Sequence, residues 1–162
     1  MARPRKHAPK FTADEAEAFF DRVRASRDRA ERLRETAELI RQHLGDPCGM
    51  RYDNTGGGHV SGPKTDPFVS SIARCEAAEQ RALAAAQAAE ELIAEAYEIC
   101  VRVLERPDMR DTVAIQCVID YYVEHRSLKS ISTELGIGVA GVSRAKARGL
   151  LYIEYAHFKR AA

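Results

Sequence analysis

The residues of this chain best placed for chemistry lie between Ser127 and Ile153, where small and basic side chains recur at helical spacing. At about 100° per residue, Ala140, Ser143, Arg144 and Ala147 share a helix face opposite Val142, Gly149 and Ile153, with Gly141 and Arg148 on the flank. That face suits hydrogen bonding to base edges. An arginine one turn into a helix can set two parallel N–H donors against guanine, and small neighbours let the helix end enter a major groove about 12 Å wide. Arg144 is therefore the expected base reader. Ala140, Gly141, Ser143 and Ala147 are expected to allow the close approach. Lys129, Lys146 and Arg148 are the expected phosphate contacts, which position a protein without reading sequence. A solvated helical hairpin with incidental arginines is the plain alternative.

The elements that must hold this face can be read from the same stretch. Ser127 is an N-cap residue for a first short helix, and Ile131 and Leu135 fall one turn apart on its inner side. Gly136 supplies the permissive backbone of a turn. Ile137 is expected to plug the corner, and Val139 and Val142 to return to the same core. Ahead of them, residues 113–123 are almost continuously apolar and predict a buried helix.

With Ile131-Ser132, the Leu135-Gly136-Ile137 turn, the valines 139 and 142 and the basic end at 144–148, the segment resembles the helix-turn-helix of bacterial sigma factor region 4. Ser132 stands where that family usually has alanine, and Gly138 where a serine cap is common. The resemblance implies double-stranded DNA as partner. It also brings in RNA polymerase, which region 4 modules contact.

Upstream, residues 12–44 contain no glycine or proline, and Phe19, Val23, Ser26, Ala30, Leu33, Ala37, Ile40 and Leu44 alternate steps of four and three. That is the seam of a coiled-coil-like helix, opened by a Thr12–Glu15 capping box and closed near Gly45. A flexible glycine-rich loop is expected over 45–67. Asp66-Pro67 then opens a second long helix to about Leu104, through Ile72, Cys75, Leu83, Ala86, Ile93, Tyr97 and Cys100. Ten of residues 77–96 are alanine, which favours helix but buries little area per contact, so this helix needs a neighbour. The neighbour is either the first helix, folded back antiparallel, or the same helix of a second copy. The expected fold is all-α: a basic flexible tail at 1–11, a long antiparallel helical hairpin over 12–105 that serves homo-oligomer formation, and a small helix-turn-helix domain over 106–162. A long helix, loop and long helix ahead of such a motif is similar to phage and prophage late-gene transcriptional activators of the RinA and ArpU type. That layout implies a phage-type transcription regulator. A small terminase subunit and a helical adaptor that binds only protein are the alternatives.

Charge follows the same division. Net charge is +1, yet residues 125–162 hold seven basic and two acidic residues whereas 64–111 hold six and ten. A basic module beside an acidic centre is the asymmetry expected of a DNA-contacting end. With 45% hydrophobic and 30% charged residues and no apolar run near ~20 residues, neither a membrane span nor a secretory leader is predicted. Cys48, Cys75, Cys100 and Cys117 are 27, 25 and 17 residues apart and form no C-x-x-C pair, so they read as reduced core thiols of a cytoplasmic protein. His43 and Cys48 lack a second ligand pair. In Gly57-Gly58-His59-Val60-Ser61-Gly62-Pro63-Lys64-Thr65, Pro63 breaks the Gly-Lys step of a phosphate loop, and His59 has no acid or nucleophile beside it. No catalytic residue, metal or cofactor is predicted.

Overall fold

A computed structural model describes residues 13–45, 67–107 and 111–159, and among these the chain is all-α, with no strand. Helices α1 (Asp14–Gly45) and α2 (Pro67–Leu104) are long, while α3 (Thr112–Val118), α4 (Leu128–Leu135) and α5 (Val139–Ile153) are short. No helix among the described residues is long and apolar enough to cross a membrane. Thr12, Cys48, His59, the basic tail and nearly all of the glycine-rich segment lie outside the described residues.

Helix α1 carries Asp14, Glu15 and Glu17 in its first turn, where carboxylates favour the positive end of the helix dipole. Its Ala16 N–H donates to the Glu154 carboxylate at 2.7 Å, a cap supplied from the far end of the chain. Helices α3 and α5 each run on into a wide π-helical turn, Ile119–Val123 and Glu154–Phe158. In these turns Glu124 N–H reaches Ile119 O and Lys159 N–H reaches Glu154 O, each at 2.9 Å. Each turn carries one buried carboxylate, Asp120 or Glu154.

The chain divides into two compact units, one of residues up to 25 together with 90 onward, the other of residues 26–89. The division falls inside α1 and α2 and not at 105/106, where the break at Arg106-Pro107 suggested a boundary. In the first unit Phe19, Phe20 and Val23 of α1, Ala96, Ile99, Cys100 and Val103 of α2, and Ile115 and Val118 of α3 form one core with Tyr122, Leu150 and Ile153. Val113, expected inside this core, is exposed on the outer side of α3.

In the second unit the α1 seam is as anticipated: Ala37 is buried and Ser26, Ala30, Leu33 and Ile40 are half-buried. Arg41 of α1 pairs with Glu79 of α2 at 2.6 Å. The inward side of α2 there is Cys75, Ala82, Ala85, Ala86 and Ala89, while Ile72 and Leu83, expected on it, are exposed. Alanines allow close helix approach and occupy the face that a leucine would hold open.

Candidate nucleic-acid interface

The turn between α4 and α5 is built as the local chemistry requires. Ser127 has extended backbone and its Oγ accepts Ser130 N–H at 3.1 Å, capping α4. Gly136, with φ +64°, ends α4 in the left-handed region where a side chain is strained. Ser132 Oγ donates to Ile137 O at 2.6 Å and closes the turn. Arg126 ties the segment down: its backbone N–H donates to Asp120 O at 2.9 Å, and its guanidinium pairs with Glu134 and, at 3.8 Å, with Asp120. Asp120 also accepts from Gln116 Nε2 at 2.9 Å, so this buried carboxylate is satisfied.

Beneath the turn, Cys117, Ile131, Val142 and Ala145 form a second small core, with Tyr121, Leu128 and Leu135 packed against it. That core does not include Ile137 and Val139. Both were expected to be inside, and both are exposed, at 37% and 45%. Helix α5 lies close against α3 at Gly149, where a Cβ would stand 2.3 Å from Ala114 O and 2.7 Å from Val118 Cγ2. Only glycine permits that approach.

The outward face of α5 matches the helical reading. Ala140, Ser143, Arg144, Ala147 and Arg148 are exposed, and Gly141 is half-buried under Ile137. Arg144 Nε donates to Ala140 O at 3.2 Å, which folds the guanidinium back toward the start of α5, and its two terminal nitrogens have no partner among the described residues. Lys129 is exposed at the start of α4. Arg148 Nε and Nη2 both stand 3.0 Å from Asp111 Oδ2, so its charge is already shared with the N-cap of α3.

Lys146 is placed differently from its expected role. It sits on the core side of α5, with Nζ 4.2 Å and 4.9 Å from the Tyr121 and Tyr122 ring centroids and 3.3 Å from Tyr122 Oη. Burial raises the Tyr122 phenol, helped by Asp21 and Glu17, so that hydroxyl stays protonated at neutral pH. Arg24 covers Tyr121 as well, 4.1 Å from the centroid, and Arg24 Nη1 donates to Tyr121 O at 2.6 Å. Tyr121 thus binds a cation from α1 and one from α5, an anchor that local sequence did not reveal.

No protein-family model matches this chain, and no curated protein or solved structure matches it. A groove of about 440 Å³ joins Ala13, Asp14 and Glu17 at the start of α1 to Ser143, Lys146, Ala147, Leu150 and Leu151. Its two carboxylates face the Ser143–Ala147 flank across the groove, whose lining also includes the Lys146 cation. The basic excess counted over 125–162 is accordingly much reduced at the surface. Arg126 and Arg148 are ion-paired, and Lys146 is held by the tyrosines.

The thiols are placed as core groups. Cys75, Cys100 and Cys117 are free and buried, and burial pushes the Cys100 thiol up to about 12. Among the described residues no three His, Cys, Asp or Glu side chains gather as a metal would need.

Proposed function

We propose that this protein binds duplex DNA by seating α5 in the major groove and acts as a sequence-specific, phage-type transcription regulator. One observation carries this reading: a short helix, entered through a hydrogen-bonded turn, presents Ala140, Ser143 and Ala147 around an arginine whose terminal nitrogens have no partner among the described residues. A thin, polar helix face with an arginine fork one turn in is what base-edge readout needs. The resemblance of residues 127–153 to sigma factor region 4 supports the same docking and adds RNA polymerase as a second proposed partner. For residues 26–89 the proposed role is assembly of copies through an antiparallel pairing of α1 and α2, supported by the exposure of Leu39, Val69 and Leu83 there.

The test uses the full-length chain. Selection from a random duplex pool should return a consensus, and fluorescence anisotropy on it should show affinity falling with salt. Lys129 and Arg148 as phosphate contacts predict a log–log slope of roughly −2, at about −0.9 per phosphate. Absence of binding at low salt by a chain shown to be folded would overturn the proposal.

A further inference from the structure

We infer that Ile137 and Val139 read thymine methyl groups, so that A·T pairs next to the base contacted by Arg144 belong to the recognised sequence. The inference rests on the reading of α5 as a major-groove helix and adds to it a readout with no hydrogen bond.

Two β-branched apolar side chains stand exposed at the entry to α5, at 37% and 45%, where the pattern of the segment would have buried them. They are not loosely held. Gly136 fixes the left-handed turn before them, and Ser132 Oγ grips Ile137 O at 2.6 Å. A Cβ built on Gly141 lies 3.7 Å from Ile137 Cβ, ordinary contact distance, so Ile137 lies across the bare backbone of the first turn of α5. β-branched side chains also have few rotamers to lose when a surface closes over them. The core below is made of Cys117, Ile131, Val142 and Ala145 and does not include them.

The occupant follows from what lies beside them. Arg144 Nε folds back onto the carbonyl of Ala140, the residue that follows Val139, and places a cation at the same helix end. A surface with an apolar shoulder and an adjacent guanidinium is complementary to a polyanion that carries an apolar group among its acceptors. In the major groove that group is the thymine C5-methyl, the single apolar feature any base pair offers there. The N-terminal residues of a recognition helix are the ones that reach base edges.

The experiment takes the full-length protein and its selected duplex and replaces each thymine in turn by uracil, which deletes the methyl and leaves every hydrogen-bonding group. At one or two positions affinity should fall roughly four-fold, the factor for one buried methyl. Val139→Ala should lose a similar factor on the thymine duplex and no longer distinguish uracil there. Val139→Thr, close in shape, should fall between them, and circular dichroism checks that both variants fold. Selective binding indifferent to uracil at every position overturns the inference and leaves the major-groove reading standing. Uracil sensitivity unchanged in both Val139→Ala and an Ile137→Ala variant also overturns it. Failure to bind any duplex selectively overturns both readings together.

Discussion

Residues 13–25 with 90–159, and residues 26–89, share the two long helices α1 and α2, yet they bury different things. The first group closes around Phe20, Ile115, Tyr122, Ile131 and Ile153, all fully buried. The described residues of the second bury Ala37, Cys75 and Ala89, and leave Leu39 and Leu83 exposed at 56% and 62%. At about 25 cal/mol per Å² of apolar surface, alanine contacts give close approach with little stabilisation. The helix-turn-helix segment is thus seated on large buried side chains: α4 and α5 close over Cys117, Ile131, Val142 and Ala145, and α5 also adds Leu150 and Ile153 to the core shared with α1, α2 and α3. Among the described residues of 26–89, Leu39, Val69, Ile72 and Leu83 stand exposed, while Leu33 and Ile40 are half-buried.

The largest expected effect separates the two regions directly. Phe20→Ala should cost about 3–5 kcal/mol, as for other buried aromatics, whereas Leu83→Ala in a monomeric chain should stay within about 0.5 kcal/mol. Urea titrations of the two variants check this. Equal costs would erase the distinction. A smaller effect sharpens it at the seat of α5: Gly149→Ala gains about 0.5–1 kcal/mol of helix propensity but drives a methyl into Ala114 O and Val118, and should lose about 1–3 kcal/mol from overpacking. A melting temperature unchanged or raised in that variant would mean that α3 and α5 are not packed so closely.

The smallest expected effect concerns acid. Arg126 holds the Glu134 carboxyl below its ordinary 4.5, first through their hydrogen bond and then through charge. A carboxyl depressed in the folded state stabilises above its unfolded pKa, and that stabilisation disappears as pH falls through the lower folded value. Thermal melts at neutral pH and near pH 3 should therefore show a smaller acid loss for Glu134→Gln than for the parent chain, by a modest amount because the pair is exposed. An identical acid loss would show that this ion pair does not hold α4.

What could be read from sequence was local. Ser127 and Gly136 announce the ends of α4 through backbone chemistry that acts within a few residues, and the exposed face of α5 follows from angle alone. Lys146 was legible too, since it lies about 40° from Val142 on the wheel. Its charge suggested phosphate, but its angle pointed to the core. The remainder depended on partners far along the chain. Glu154 caps α1 from 138 residues away, and Arg24 reaches Tyr121 across 97. Ile137 and Val139 carry the apolar pattern of core residues, but the core beneath the turn is closed by Cys117, Ile131, Val142 and Ala145, with Tyr121 and Leu128 reaching it from elsewhere in the chain, which periodicity does not show. The division within α1 and α2 has no local mark because a helix need not change its own sequence pattern where its neighbour changes.

Arg144 is the side chain on which sequence reading by α5 depends most directly. The full-length chain carrying Arg144→Ala should be titrated against its selected duplex and against a scrambled one at a single salt concentration. Loss of about 1–3 kcal/mol on the selected duplex, with the scrambled duplex bound as before, is the result expected of a side chain that reads a base. If Arg144→Ala keeps its full preference for the selected sequence, α5 does not present this face to the major groove, and the proposed mode of recognition is wrong.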